Sequence, residues 1–318
     1  MRVIQKKINK SDYYQLLDLD SITVGHRVVF DIFIKKDKDF IIIIDAGTVL
    51  SEQLYQKLQK QEALYIFKDD KDKLKLTCEN LKHYLEFNIE NPKQRIELVY
   101  KVNEELFDDY IKSQEDEIDI KCVENIVEAI IYLTKHDKAF LKRTMPHFID
   151  KQKLDIHSLQ VLIYAITLAN TIHLTDKELL LLGKAALLHD LGLKKIDDSI
   201  TYKNSKLTDD ELYEMHKHTI YSMEIIKKNN IINPFIIDAV LHHHEQYDGK
   251  GYPNQLNKKH ISIFASILSI CDVFDALTTK RSYRERYSSF DAIKMMFKNK
   301  SMAGRFNEHY LKILLKSL

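Results

Sequence analysis

The chain has 318 residues, 45% of them hydrophobic and 30% charged, with 48 Lys and Arg against 47 Asp and Glu for a net charge of +1. This length suggests two domains, or one domain with a long extension. The near-neutral balance excludes a whole-chain attraction to a nucleic-acid polymer or a membrane surface, so any anionic ligand must be handled by a local site. Seven Gly, four Pro and no Trp among abundant Leu and Ile favour helices over an all-β architecture.

The N-terminal residues, Met-Arg-Val-Ile-Gln-Lys-Lys, lack the apolar stretch of a signal peptide. The longest aliphatic run, Ile41 to Ile44, is far short of the ~20 residues that span a bilayer. Cys78, Cys122 and Cys271 show no paired spacing and are expected as reduced thiols of a soluble, cytoplasmic protein.

In chain order, Ile22 to Ile34 is β-branched and partly alternating. Lys35 to Asp39 is a charged turn, and Phe40 to Asp45 a short buried strand closed by Ala46-Gly47. Ser51 caps a short helix, and Leu64 to Phe67 reads as another strand. Residues 1–75 thus predict a small α+β module. It holds no cluster of catalytic residue types, so a regulatory or dimerising role is expected.

Residues 76–148 predict a helical linker, with amphipathic stretches at Ile96 to Ile111 and Val123 to Leu133. The acidic Gln114 to Glu117 between them reads as a solvated bend. The module and the linker helices are the two places where a homodimer contact would form.

Residues 149–318 predict a helical bundle. His157, Val161, Ala165 and Leu168 follow helical spacing, and a second helix runs from about Asp176 to Asp190. Thr208 with Glu211 forms a capping-box pattern opening a third helix, on which Met215, His218, Ser222 and Ile225 share a stripe. Asn233-Pro234 opens a helix through Glu245. Ile263, Ile267, Ile270, Phe274 and Leu277 mark a fifth, whose only acids are Asp272 and Asp275.

On these apolar helices lie His157, His189, Asp190, His218, His243, His244 and Asp272. A buried carboxylate is expensive unless it is paired or binds a cation. Mixed His and Asp donors suit Fe, Mn, Zn, Co or Ni better than Mg or Ca. Seven candidates exceed the four of a tetrahedral zinc site. Two cations sharing one carboxylate, with Asp190 as the bridge, is the economical reading. His157 taken alone would read as a core histidine, and a His-Asp dipeptide is a weak signal. The cluster His242-His-His-Glu245 before Gly251-Tyr-Pro253 is stronger. His173, His216 and His242 read as bystanders.

Leu188-His-Asp-Leu-Gly192, His218, His243-His-Glu-Gln-Tyr-Asp-Gly-Lys-Gly-Tyr-Pro253, Cys271 to Arg284 and Gly304-Arg-Phe-Asn307 occur in that order. Over roughly residues 150–310 the chain resembles the HD-GYP subgroup of the HD phosphohydrolase superfamily. The resemblance implies an HD-type helical bundle behind the α+β module, giving a mainly α protein. It implies hydrolysis of cyclic di-GMP to pGpG, and further to GMP in some members, at two divalent ions, Fe or Mn first, with Zn, Co or Ni also compatible. It implies the same seven metal ligands, with Asp190 also catalytic. Paired cations about 3.5–4 Å apart can share a hydroxide and hold it for in-line attack on phosphorus. Tyr252 is expected at the substrate, with Arg281 and Arg284 as phosphate clamps.

Two departures accompany the resemblance. Members of the family read His-Asp-x-Gly-Lys, with the lysine on substrate phosphate, whereas Leu193 stands there and Lys194 follows as the nearest substitute. A catalytically weak cyclic di-GMP receptor, or an HD enzyme for another nucleotide, is the alternative this raises. Trinuclear members carry a Glu one helical turn before the first histidine; Lys153 stands there, which argues for two ions.

Overall fold

A computed structural model describes residues 13–318 except 20–21, 23, 26–27, 29, 38, 71–80, 82–84, 86–90, 138, 145–152, 204, 281–283 and 300. The chain divides into two compact units, Met1–Arg95 and Ile96–Leu318.

The first unit contains β1 (Tyr14–Leu16), β2 (Ile32–Lys36), β3 (Asp39–Ile44), helix α1 (Glu52–Leu58) and β4 (Tyr65–Phe67). The strands form an antiparallel sheet in the order β1-β4-β2-β3. Its core gathers Val28, Phe30, Ile32, Ile44, Leu50, Leu58 and Ile66. Ser51 caps α1 as expected, its hydroxyl accepting from the Leu54 amide. The strand expected to be buried, β3, is instead an edge strand. With a neighbour on one side only, it leaves Ile41 and Ile42 44% and 46% exposed.

The second unit begins within α2 (Pro92–Lys112) and continues through α3 (Ile120–His136), α4 (Phe140–Thr144), α5 (Leu154–Thr171) and α6 (Asp176–Leu188). A 3-10 turn (Leu191–Lys195) follows, then α7 (Asp198–Thr201), α8 (Asp209–His216), α9 (His218–Lys228) and α10 (Pro234–His242). The chain ends with α11 (Ile263–Thr278), α12 (Ser289–Lys298) and α13 (Glu308–Ser317). Helix α5 is buried nearly all round, as its apolar sequence requires, and packs against α3, α6 and α11. Helix α10 lies against α6, α9 and α11. The first turn of α5, the C-terminal half of α11 and the last turns of α6 and α10 thereby meet.

Local chemistry sets the boundaries. Both directions of the capping box at Thr208 and Glu211 form. The third helix, expected to continue through Ile225, breaks at Lys217 into α8 and α9. The carbonyls of Met215 and His216 accept from the side chains of His218 and Thr219, so the helical ladder is interrupted there.

The acidic bend between α2 and α3 is tied down rather than merely solvated. Asp116 pairs with Lys194 at 3.5 Å and Lys195 at 3.2 Å, and its carbonyl accepts from Asn229 Nδ2. Cys271 is a buried free thiol, but Cys122 is disulfide-bonded, contrary to the expectation of reduced thiols; Cys78 lies outside the described residues. Among the described residues no helix is long and apolar enough to cross a membrane.

Gly183 lets α6 approach its neighbours. A Cβ there would lie 2.3 Å from Val127 Cγ1 on α3 and 3.1 Å from Leu162 Cδ1 on α5. Gly183→Ala is therefore expected to destabilise the second unit by about 1–3 kcal/mol. Thermal unfolding followed by circular dichroism should show a midpoint lower by roughly 2–12 °C.

Candidate metal centre

Three histidines sit where helices stop. His189 is the C-cap of α6, His243 the C-cap of α10, and His218 opens α9 directly after the break at Lys217. Each ring donates from Nδ1 to the carbonyl three residues earlier: His189 to Ala186 at 2.8 Å, His218 to Met215 at 2.7 Å, His243 to Val240 at 2.7 Å. A carbonyl can only accept, so Nδ1 carries the proton and the neutral ring keeps its lone pair on Nε2. His157, in the first turn of α5, donates from Nδ1 to Asp275 Oδ2 at 2.7 Å.

The four Nε2 atoms converge on Asp190. Its Oδ1 lies 3.4 Å from His218 Nε2 and 3.5 Å from His243 Nε2. Its Oδ2 lies 3.4 Å from His189 Nε2 and 3.5 Å from His157 Nε2. Asp272 faces the same place from α11, with Oδ1 3.3 Å from His157 Nε2 and Oδ2 3.7 Å from His244 Nδ1. All seven residues singled out as metal ligands are brought together. They fall into two sets, Asp190 with His218, His243 and His244, and His157 with His189 and Asp272. Within each set the ligand atoms lie within 4.8 Å of one another.

The electrostatics fit a cation. The Nε2 atoms of His218 and His243 face each other at 3.4 Å, an arrangement of lone pairs that repels unless positive charge sits among them. His189 Nε2 and Asp190 Oδ1 are buried without a hydrogen-bond partner. Burial pushes the His189 imidazole down to about 4, which keeps it a neutral donor. Burial also disfavours charge on His157, but the carboxylates of Asp190, Asp272 and Asp275 outweigh it and raise its pKa well above the ordinary value. Burial opposes ionisation of Asp190, yet the surrounding imidazoles hold it well below the usual carboxylate range. The pocket thus favours positive charge and ionised carboxylates, the condition a divalent-cation site needs.

A family model for the HD domain matches residues 135–306. The chain belongs to the HD domain family. Its Gly251-Tyr-Pro253 signature fits the HD-GYP subgroup. It is 32% identical over 163 residues to a cyclic di-GMP phosphodiesterase of Pseudomonas aeruginosa, covering 51% of this chain and 39% of that protein. It is 38% identical over 133 residues to the 3'3'-cGAMP-specific phosphodiesterase 2 of Vibrio cholerae, covering 42% of this chain and 26% of that protein. The matched stretch thus spans well under half the length of these relatives. A solved structure of a HDG"Y"P protein from Bdellovibrio bacteriovorus shares the fold, with a TM-score of 0.62 over 95% of this chain and 98% of that one at 17% identity.

In this HD domain two glycines permit close backbone contacts beside the cluster. A Cβ on Gly192 would lie 2.1 Å from the His218 carbonyl, and its amide donates to Ser222 Oγ. A Cβ on Gly251 would lie 2.4 Å from the Gln246 amide and 2.6 Å from the His244 carbonyl. Glu245 is buried and accepts from the amides of Asn254 at 2.6 Å and Leu256 at 2.8 Å, pinning the loop that carries Tyr252. Asn307 donates to Tyr247 Oη at 2.9 Å and caps α13, which accounts for the Gly-Arg-Phe-Asn motif as a fastening rather than a ligand.

The residues expected at the substrate part company. Tyr252 lies against the cluster, stacked on His244 at 4.8 Å between ring centroids. Lys194 does not join it. Its ammonium donates to the carbonyls of Tyr110 at 2.8 Å and Ser113 at 2.6 Å and pairs with Asp116, because the C-terminal carbonyls of α2 attract a cation. Arg284 does the same for α11, donating to the carbonyls of Ala276 and Leu277, and also to that of its neighbour Glu285. Arg281 lies outside the described residues.

Three residues beside the cluster were given no role by the sequence reading: Asp275, Glu245 and His216. Asp275 was visible as a second acid on a buried stripe, and Glu245 as the acid closing the His-His-His-Glu cluster. His216, read as a bystander, stacks on Tyr252 at 3.7 Å; a lone histidine gives no sequence signal for that.

Asp275 fixes the His157 ring, so Asp275→Ala should weaken Mn²⁺ binding by about 10–100-fold. Isothermal titration of wild type and variant measures this; equal affinities would show that the hydrogen bond does not position the ring.

Proposed function

We propose that the chain is a metal-dependent phosphodiesterase that hydrolyses cyclic di-GMP to linear pGpG and on to GMP, using two divalent ions, Fe or Mn. The observation that carries this reading is the division of one buried carboxylate, with Asp190 Oδ1 facing His218 and His243 and Oδ2 facing His157 and His189. Asp190 would hold both ions and serve as the catalytic carboxylate. His218, His243 and His244 complete one side, and His157, His189 and Asp272 the other.

Two cations held in this way supply Lewis acidity that activates water and neutralises charge on a phosphoryl group. The protein's own contribution is to hold the donors in place before substrate arrives. Backbone carbonyls fix three rings and Asp275 fixes a fourth. Tyr252 borders the cluster on the substrate side, its hydroxyl kept protonated because burial and then Asp272 and Asp190 raise its pKa. Lys153, standing where a third ion would need a carboxylate, is paired with Glu104 at 2.9 Å, which supports two ions rather than three.

The names of the relatives support the substrate class, a cyclic dinucleotide, and leave cyclic di-GMP and 3'3'-cGAMP as the pair to compare. Among the described residues the first unit contributes nothing to the cluster. We read it as the regulatory or dimerising part of a cytoplasmic protein.

Protein prepared anaerobically and loaded with Fe or Mn is expected to cleave cyclic di-GMP in a chromatographic assay with metal quantified on the same sample. Asp190→Ala should reduce turnover to background and the metal content to below one ion per chain. Fully loaded wild type that leaves cyclic di-GMP intact and cleaves 3'3'-cGAMP would move the assignment to that nucleotide.

A receptor with little turnover is the second reading, favoured by the commitment of Lys194 to α2. Under it, wild type binds cyclic di-GMP tightly without cleaving it. Leu193→Lys is expected to raise the turnover number under either reading, and an unchanged rate would show that no phosphate-binding lysine is needed at that position.

A further inference from the structure

His244 is held differently from the other four imidazoles. His157, His189, His218 and His243 each have Nδ1 in a hydrogen bond of 2.7–2.8 Å to a fixed oxygen. His244 Nδ1 instead faces Asp272 Oδ2 at 3.7 Å, beyond hydrogen-bond range, and among the described residues no hydrogen bond orients its ring. What touches the ring is aromatic. His243 packs at 4.2 Å and His218 meets it edge-on at 5.0 Å. Tyr252 stacks on it at 4.8 Å with the planes 29° apart.

Tyr252 is held in the same way. Its loop is anchored by Glu245, but among the described residues its hydroxyl makes no hydrogen bond. Its ring is covered by His216, at 3.7 Å and only 12° from parallel. His216 is the last residue of α8, and its carbonyl accepts from Thr219 Oγ1 at 3.3 Å, which fixes it to the start of α9. The three rings form a ladder from the end of α8 to the cluster.

We infer that His216 is a positioning residue: through Tyr252 it holds the His244 imidazole in its ligating orientation, the task that Nδ1 hydrogen bonds perform for the other histidines. This rests on the two-ion reading. It implies asymmetry, because His244 belongs with Asp190, His218 and His243, whereas among the described residues neither the His157 nor the His189 ring stacks on the ladder, and the second set meets it only through Asp272, 3.7 Å from His244 Nδ1. Loss of the ring at 216 should therefore weaken one ion and spare the other.

The test is Mn²⁺ titration of the full chain, read by calorimetry and by electron paramagnetic resonance, which distinguishes a coupled Mn pair from a single ion. Wild type is expected to bind two ions. His216→Ala and the bulkier His216→Leu should each keep one ion at wild-type affinity and bind the second roughly 10-fold more weakly, the low end for loss of a ligand-orienting partner. The coupled signal should give way to that of isolated Mn at limiting metal. His216→Phe, which keeps a flat ring and removes both nitrogens, should retain both ions. His309→Ala, at an exposed position at the start of α13, should match wild type. His216→Leu preserves bulk and keeps the test valid if the alanine variant fails to fold.

Two tight ions in both non-aromatic variants would overturn the inference, as would His216→Phe behaving like His216→Leu. Equal weakening of both ions would also overturn it, since that is what general loosening of the fold produces. Wild type that binds no Mn²⁺ would overturn the two-ion reading itself, a result visible before any variant is made.

Discussion

Asp190 is held ionised in the interior, and three of the helices around it end or begin at the histidines that face it. An uncompensated buried carboxylate costs several kcal/mol. Here the compensation is a ring of imidazole nitrogens drawn from α5, α6, α9 and α10. Here three of the four nitrogens come from residues at or beside helix termini, His189, His218 and His243. A ring at a terminus can also turn back on its own helix and take a carbonyl left without an amide partner. Ala186, Met215 and Val240 supply those carbonyls. One hydrogen bond therefore selects the tautomer and aims the lone pair.

The same rule explains where the nearby cations went. The C-terminal carbonyls of α2 and α11 carry partial negative charge, and Lys194 and Arg284 donate to them. Both are drawn to helix ends rather than left free.

Much of the second unit was legible because its signals are local. Capping boxes, the Asn-Pro start at 233–234 and apolar spacing on α5 and α11 all depend on residues within one or two turns. The seven clustered residues were legible for a related reason: His and Asp in otherwise apolar helices stand out by type. What escaped the sequence depends on contacts between distant segments. The break at Lys217 looks like uninterrupted helix until the His218 ring takes the Met215 carbonyl. Asp116 looks solvated until Lys194, Lys195 and Asn229 arrive from about 80 to 110 positions away. The exposure of β3 follows from strand order, which a single strand's sequence does not encode.

The shift from a lysine at 193 to one at 194 shows how much one residue decides in such a turn. Residues 191–195 form a 3-10 turn, in which successive side chains point about 120° apart. Lysine at 194 therefore cannot share the direction of residue 193. It faces α2, where Tyr110 also donates its hydroxyl to the Leu191 carbonyl at 2.8 Å. Together these bonds lash the turn directly after Asp190 to the end of α2, while Gly192 presses it against α9. The lysine has become part of the frame that keeps the Asp190 carboxylate in place. The turn gains rigidity and gives up a positive charge on its outer side, and residue 193 is where that charge would have to be restored.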